Sequence, residues 1–444
     1  MNEFKDFKDF KNCKKFETFG LPYLIGSVER FFGGAVRYNS APIGALKRHH
    51  EIDITANPRR GVYLSEDMSS AIILGKVMNN RLVEAVFSLH VTNTSFVGLE
   101  KLLNDFQGAL AVTLARSALE KFSHKPHQFG DELLELAISK YFSKGYYDHR
   151  NFQQLIDLFH SLANTRFEGR NFTTGLVLTR SFFAFKQQGN HTREGTAFPL
   201  VEERKLSARD PIEKRFWYLA DGQTSYFLAD PQLMVRNVFL ANSGRQGLSS
   251  FIDDYTLSKT IKGGDALFRV TSQSEFSVTG ASGIDFNYKE GRWRARNLNH
   301  IASVIRTTLD VADPFVQAFL YFALYLSRRR MSSILWVPID LQNIDSMLLS
   351  KNRLTRDGFS ILNERHTQSL LRLLSSDGAS IFSRDGELVS FGSVIDISKV
   401  AISGVKGTGE SVASILGSNG VCIKVSQDGT IKLYASSSVR PMII

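Results

Sequence analysis

The stretch Gly404-Val-Lys-Gly-Thr-Gly-Glu-Ser411 follows the apolar run Val400–Ile402 and has the glycine spacing of a phosphate-binding loop. In a nucleoside-triphosphatase loop the residue before the Ser is a Lys that meets the β- and γ-phosphates. Here it is Glu410, whose carboxylate repels a phosphate, so ordinary P-loop chemistry is excluded. Two readings stay open. One is a tight strand-to-helix turn in which Gly supplies a positive φ. The other is an anion nest, in which the successive N–H groups of Gly407, Thr408 and Gly409 point at a phosphate from a helix N-terminus and Lys406 adds a charge. A second stretch, Ser376-Asp377-Gly378-Ala379, sets a short carboxylate at the start of an apolar strand. Such a group can hold a divalent metal or accept a hydroxyl proton. An Asp-Gly turn has the same spelling.

Other chemistry-bearing residues carry less. His124 with His127, and the pair His49-His50, lack companion Cys or acids at zinc spacing and read as solvated. No G-x-S-x-G occurs, and nothing near Cys13 would activate its thiol. Arg292-Trp293-Arg294-Ala295-Arg296 is basic with an aromatic, a phosphate or nucleic-acid contact or else the start of a helix. Arg328-Arg329-Arg330 ends a helical pattern, where cations suit the helix dipole.

The elements that must position these residues fall into two textures. Residues 23–165 read as mostly helical, with Leu102–Lys121 and Asp131–Phe142 apolar at i, i+3, i+4 and i+7, and with strands at Gly61–Leu64 and Leu82–Val91. After Arg170 the chain turns to β, with strands at Thr174–Phe185, Trp217–Ala220 and Ser225–Ala229 and a long polar loop over Lys186–Pro211. A boundary between halves is expected near 240–265. Beyond it, helices Arg294–Leu309, Pro314–Arg328 and Asn363–Leu374 alternate with a strand at Ser333–Pro338 and hairpins at Ala379–Phe382/Glu387–Gly392 and Val421–Ser426/Thr430–Ala435. This alternation predicts an α/β domain in a chain that is α+β overall.

Composition bounds the class. At 444 residues the chain is too long for one ordinary core, and 43% apolar with 22% charged residues excludes wholesale disorder and a disulfide scaffold. The net charge of +10 is spread out, 34 Lys+Arg against 28 Asp+Glu over 1–264 and 20 against 16 over 265–444, so it is weak evidence for a nucleic-acid partner and compatible with holding small nucleotides. Cys13 and Cys422 lie far apart, and Cys422 sits in an apolar run, which reads as a reducing compartment. The polar N-terminus shows no secretory signal, and Phe315–Leu326 is too short to span a bilayer, so the chain is expected to be soluble and cytoplasmic. Phe is abundant, 34 residues, and Phe4, Phe7, Phe10, Cys13, Phe16 and Phe19 recur every third position. That period drifts about 60° per step around a helix and makes no single stripe. The segment reads as one draped over the body, or as a partner anchor.

Taken together, residues 265–437 resemble the diadenylate cyclase (DAC) domain family, as in the N-terminal nucleotide-binding domain of the bacterial DNA-integrity-scanning protein. The likeness rests on Ala323–Arg330 before the strand Ile334–Pro338, on Leu373-Leu-Ser-Ser-Asp-Gly-Ala379, on Gly407-Thr-Gly-Glu-Ser411, and on Gly420–Gln427 with Gly429–Leu433. It implies a mixed central sheet flanked by helices. Active members condense two ATP molecules into cyclic di-AMP across two facing domains with a divalent metal. The resemblance therefore implies a homo-oligomer and Mg2+ or Mn2+ if this chain is catalytic. It gives Asp377 the metal and hydroxyl role, sets Gly378 and Ala379 against the nucleotide, and matches Gly407 and Thr408 to the second motif. That motif's Arg-His-Arg is Gly409-Glu410-Ser411 here, which removes charge-assisted bonds to a triphosphate. The chain is thus a divergent member in this reading.

The expected organisation is an N-terminal segment 1–22, an α+β region 23–250 with a break near 170, and a DAC-like domain over 265–437. The leading functional reading is a nucleotide-binding sensor in bacterial signalling or defence, taking ATP or a nucleotide-derived signal at Asp377, Gly378, Ala379, Lys406, Gly407, Thr408, Gly409, Glu410 and Ser411. The alternatives are a divergent dinucleotide cyclase with Asp377 as its catalytic residue, and a scaffold with a vestigial site.

Overall fold

The computed structural model describes residues 20–40, 61–79, 82–115, 129–143, 147–167, 170–171, 173–180, 195–207, 214–241, 254–342, 344–350, 352, 358–396, 408–438 and 441–444. The period-three phenylalanines, Cys13 and the four histidines named above lie outside these residues, as do Gly404, Lys406 and Gly407.

Helix α1 (Leu21–Phe32) buries Leu21, Leu24, Val28, Phe31 and Phe32, the helical spacing of one apolar face, and ends at Gly33, whose φ of 70° is left-handed. Strands β1 (Ala35–Asn39), β2 (Val62–Leu64), β3 (Ala71–Asn79) and β4 (Leu82–Thr92) make an antiparallel sheet in the order β1-β4-β3-β2. Helices α2 (Glu100–Ala115), α3 (Phe129–Ser143) and α4 (His149–Ala163) follow, and β5 (Arg166–Phe167) with β6 (Arg170–Asn171) forms a short ribbon. Asp148 caps α4 by accepting from the N–H of Arg150 at 2.9 Å.

The second sheet has eight strands: β7 (Thr174–Leu178), β8 (Gly195–Lys205), β9 (Ser225–Ala229), β10 (Met234–Ala241), β11 (Ala266–Ser272), β12 (Glu275–Gly280), β13 (Ile284–Lys289) and β14 (Arg292–Asn297). Their order is β14-β13-β12-β11-β7-β9-β10-β8. One face, with Phe268, Val270, Phe276, Val278, Phe286 and Trp293, closes a single core with α1 to α4. Strands β11 to β14 are therefore hydrogen-bonded into the sheet of the preceding residues through the β11–β7 pairing, although they fall within 265–437.

Three local expectations are corrected here. The polar stretch read as a loop over Lys186–Pro211 contains β8, an edge strand. Its exposed Val201, Glu202 and Glu203 and its Pro199 are the polar, proline-bearing dress of a sheet edge, which hides the strand pattern. Trp217–Ala220 is no strand; Lys214–Trp217 is a helical turn, α5. Arg294 does not open a helix. It lies in β14, where Trp293 and Ala295 turn toward the core and Arg292, Arg294 and Arg296 turn away, the period of a strand.

The remaining described residues build a seven-stranded sheet. It comprises β15 (Ser333–Pro338), β16 (Leu348–Ser350), β17 (Ala379–Phe382), β18 (Leu388–Ile395), β19 (Gly420–Val425), β20 (Ile431–Ala435) and β21 (Met442–Ile443) in the order β16-β18-β17-β15-β19-β20-β21. β15 and β17 run parallel and the other pairs antiparallel, so the sheet is mixed and the α+β expectation is met. Helices α6 (Asp254–Thr260), α7 (Leu298–Leu309), α8 (Asp313–Arg328) and α9 (Thr367–Leu374) precede or interleave these strands. Residues of α7, α8 and α9 share one core with Leu335, Val337, Ile423 and Leu433. On the other face Val412, Ala413 and Leu416 of α10 (Thr408–Ser418) meet Trp336, Ile381, Cys422 and Tyr434. The apolar run in α8 is thus a helix buried on nearly all sides. Among the described residues no helix is long and apolar enough to cross a membrane.

Candidate functional site

Strand register decides where the two sequence motifs lie. Ile334 of β15 is paired with Ala379 of β17 on one side and with Lys424 of β19 on the other, and Lys424 is paired with Lys432 of β20. Ala379, Ile334, Lys424 and Lys432 therefore form one row across four strands. Asp377 and Gly378 immediately precede Ala379, at the entry to β17. Strands lie about 4.8 Å apart, so Ala379 and Lys424 are about 10 Å apart along this row. The row shares its side-chain face with α10, since Ala379, Ile334 and Ile381 belong to the core that α10 covers. The first turn of α10 arrives at the same end. A Cβ built on Gly409 would lie 3.1 Å from Cε of Lys424, and Glu410 is ion-paired with Lys432. The Asp377 turn and the start of α10 thus occupy one end and one face of the sheet.

The local geometry explains the residue types. Gly378 has φ +97°, and a Cβ there would sit 2.7 Å from the Gly392 carbonyl carbon, so the turn tolerates only glycine. Asp377 Oδ1 accepts from the N–H of Gly378 at 2.9 Å, and its other oxygen is not engaged in a hydrogen bond to a described residue. Glu410 differs from its expected role. Its pairing with Lys432 neutralises the carboxylate that would repel a phosphate, and neither side chain is fully buried. Burial, then the Glu410 charge, pushes the Tyr434 hydroxyl up to about 12, which keeps it protonated beside this pair. Ser411 is buried, and Thr408 begins the helix. The sequence-level reading missed Lys424 and Lys432. Their signal was the two lysines facing each other across the Asp428-Gly429 hairpin.

Asp377 is the residue to which the family resemblance assigns a divalent ion. Among the described residues no three His, Cys, Asp or Glu side chains gather as a metal site. A lone carboxylate suits Mg2+ when nucleotide phosphates supply further oxygens, and Asp377 fits that limited role.

A second polar constellation joins two runs that the sequence presented as unrelated. On the face of the eight-stranded sheet opposite the phenylalanines, Asp285 is paired across β13–β14 with Arg296, and Arg269 of β11 lies opposite Ser277 of β12. This face meets the C-terminal end of α8. Asp285 Oδ2 accepts from Arg296 Nε at 2.8 Å and its Oδ1 from Thr279 Oγ1 at 2.6 Å. Asp254 at the start of α6 accepts from Arg296 at 2.9 Å, pairs with the buried Arg269, and lies 3.6 Å from Arg328. Burial, then the nearby Arg328 charge, lowers the Arg269 guanidinium to about 10, so it stays charged at neutral pH. Desolvation would raise the Glu275 carboxyl, but Arg328 and Lys289 bring it below its ordinary value. Arg296 of the first run and Arg328 at the end of α8 thus serve a single buried layer.

No family model matches the chain, and no curated protein matches it. Solved structures with partial likeness include a hypothetical membrane spanning protein from Bacillus cereus, 15% identical, with TM-score 0.23 over 28% of this chain and 61% of that one. The matched part is thus under two thirds of that protein's length. Another is a double cysteine variant of DacA, a diadenylate cyclase from Staphylococcus aureus, 16% identical, with TM-score 0.22 over 29% of this chain and 87% of that one. Likeness at this level is too slight to carry an activity.

Proposed function

We propose that the seven-stranded unit binds a nucleotide or a nucleotide-derived signal between the Asp377 turn and the first turn of α10, and that the protein is a sensor of it in signalling or defence. One observation carries the reading: the row Ala379–Ile334–Lys424–Lys432 puts a carboxylate turn, two lysines and a helix N-terminus on one face at one end of the sheet. Helix N-termini and lysines both favour phosphate groups. Lys432 offsets the Glu410 charge, and Lys424 restores part of the positive charge that Gly409-Glu410-Ser411 removes from the loop. The sensor role comes from the motif resemblance, and a fold alone would not supply it.

The test is incubation with ATP and Mg2+ or Mn2+, with products resolved and ATP-dependent thermal stabilisation measured on the same protein. Stabilisation without a dinucleotide product supports the sensor. A product that disappears in Asp377→Asn would establish a divergent dinucleotide cyclase instead, with Asp377 handling the hydroxyl or metal. Absence of both would leave a scaffold. In the binding reading Lys424→Gln removes one charge-assisted contact, worth about 1.5–3 kcal/mol. At about 1.4 kcal/mol per decade, its Kd for ATP should rise about 10- to 100-fold. An unchanged Kd places the phosphates elsewhere.

A further inference from the structure

The polar layer between the eight-stranded sheet and the end of α8 encloses a cavity of about 240 Å³, bordered also by the Asp428-Gly429 turn. Its acids are already engaged. Asp254 serves Arg269 and Arg296 with Arg328 beside it, and Glu290 pairs with Arg330. Asp428 accepts from the N–H and the hydroxyl of Thr430, each at 2.9 Å. Glu275 accepts from Ser272 at 2.9 Å and lies 4.0 Å from Lys289, at the limit of an ion pair.

The cations on the wall are not equally served. Arg292 and Arg294 project from β14 into this space, and neither makes an ion pair with a described residue. Lys289 stands opposite Arg292 in the β13–β14 register, and Asn287 opposite Arg294. Burial lowers Arg294, with Asp428 and Glu290 pulling the other way and the neighbouring Arg296 and Arg292 charges adding to the fall. A half-buried guanidinium with no carboxylate within ion-pair distance among the described residues is costly, and an anion that enters beside Arg294 reduces the cost.

We infer that this cavity is a second binding site, for a phosphate group held by Arg294 and Lys289 with Arg292 at the rim. Guanidinium groups and ammonium ions are the usual phosphate grips, the first as a fork and the second as a point charge. Cavities for drug-sized ligands run from about 300 Å³ upward, so the occupant is inorganic phosphate or a small phosphate monoester, not a nucleotide. The location is also one where ligands commonly bind, between two packed units.

The test uses the full chain, free of nucleotide, with inorganic phosphate and then glycerol 3-phosphate titrated by calorimetry against chloride at matched ionic strength. Calorimetric binding separates occupancy from the general stabilisation that phosphate gives by exclusion from protein surfaces. Arg294→Gln and Lys289→Gln keep a polar side chain and remove its charge. Each should weaken phosphate binding at least tenfold while circular dichroism confirms an unchanged fold. Tighter binding of the monoester than of phosphate would identify an organic phosphate as the ligand, and equal binding would identify phosphate itself. Absence of phosphate binding by the unaltered protein overturns the inference. So does binding that persists unchanged in either variant, which is what phosphate resting at the start of α10 would give.

Discussion

Replacing Asp285 by Ala is expected to lower the unfolding free energy by about 3–5 kcal/mol, the usual result of removing one partner from a buried charge network. Asp285 is fully buried, takes the Arg296 guanidinium and the Thr279 hydroxyl, and shares Arg296 with Asp254. Without it, Arg269, Arg296 and Arg328 converge on Asp254 alone. Asp285→Asn keeps the shape and an acceptor oxygen and should lose less. A double variant, Asp285→Ala with Arg296→Met, should lose less than the sum of the single changes, because the orphaned guanidinium is gone. Urea unfolding followed by tryptophan fluorescence is a suitable readout, since Trp293 lies on β14 beside Arg294 and is itself buried. A loss under about 1 kcal/mol for Asp285→Ala, the scale of an exposed pair, would mean that water reaches this layer and screens it.

That network shows why the chain's chemistry is only partly legible in its residue order. Arg292, Arg294 and Arg296 alternate with Trp293 and Ala295, a strand period written in five residues, yet charged residues on alternate positions also read as an exposed helix start. The ambiguity ends only when β13 pairs with β14 and sets Asp285 against Arg296. The arginine triplet at 328–330 looked sufficient as a helix end. Its first member instead reaches into the same layer, a contact across dozens of residues that no local pattern encodes. The meander β11–β14 was within reach: Leu267-Phe-Arg-Val and Glu275-Phe-Ser-Val alternate, and Lys289-Glu290-Gly291 marks the turn before β14.

In the seven-stranded unit local signals were more faithful. Ser333–Pro338 and Ala379–Phe382 are strands with the bounds read from their β-branched and aromatic runs, and the Asp428-Gly429 turn closes the hairpin that its residues announce. The candidate site was legible as two separate motifs and not as a place. Asp377 and Gly409 are brought together by the parallel β15–β17 and antiparallel β15–β19 pairings, which depend on the whole sheet. The lysines that face them carry no motif. They become visible as site residues once the register aligns Lys424 and Lys432 with Ala379.

Several of the chain's phenylalanines gather around β11, where a Phe268→Ala substitution should cost about 3–5 kcal/mol. Phe268 is fully buried, and its ring lies 5.0 Å from that of Phe152 and 5.1 Å from that of Phe159, both on α4. Around it Phe142 stacks on Phe152, and Phe276 and Trp293 continue the layer. Deleting one ring leaves a cavity that rigid aromatic neighbours fill poorly, so the cost lies toward the large end of core substitutions. Phe268→Leu keeps most of the volume and should lose well under half as much. The next residue, Arg269, points to the opposite face of the same strand and into the charged layer. If the sheet separates an apolar face from a polar one as described, Phe268→Ala should weaken folding while leaving the phosphate affinity of the folded protein unchanged. Denaturant unfolding and calorimetry on the same variant measure both. A tenfold loss of phosphate affinity in Phe268→Ala with native circular dichroism would show that the two faces do not act independently.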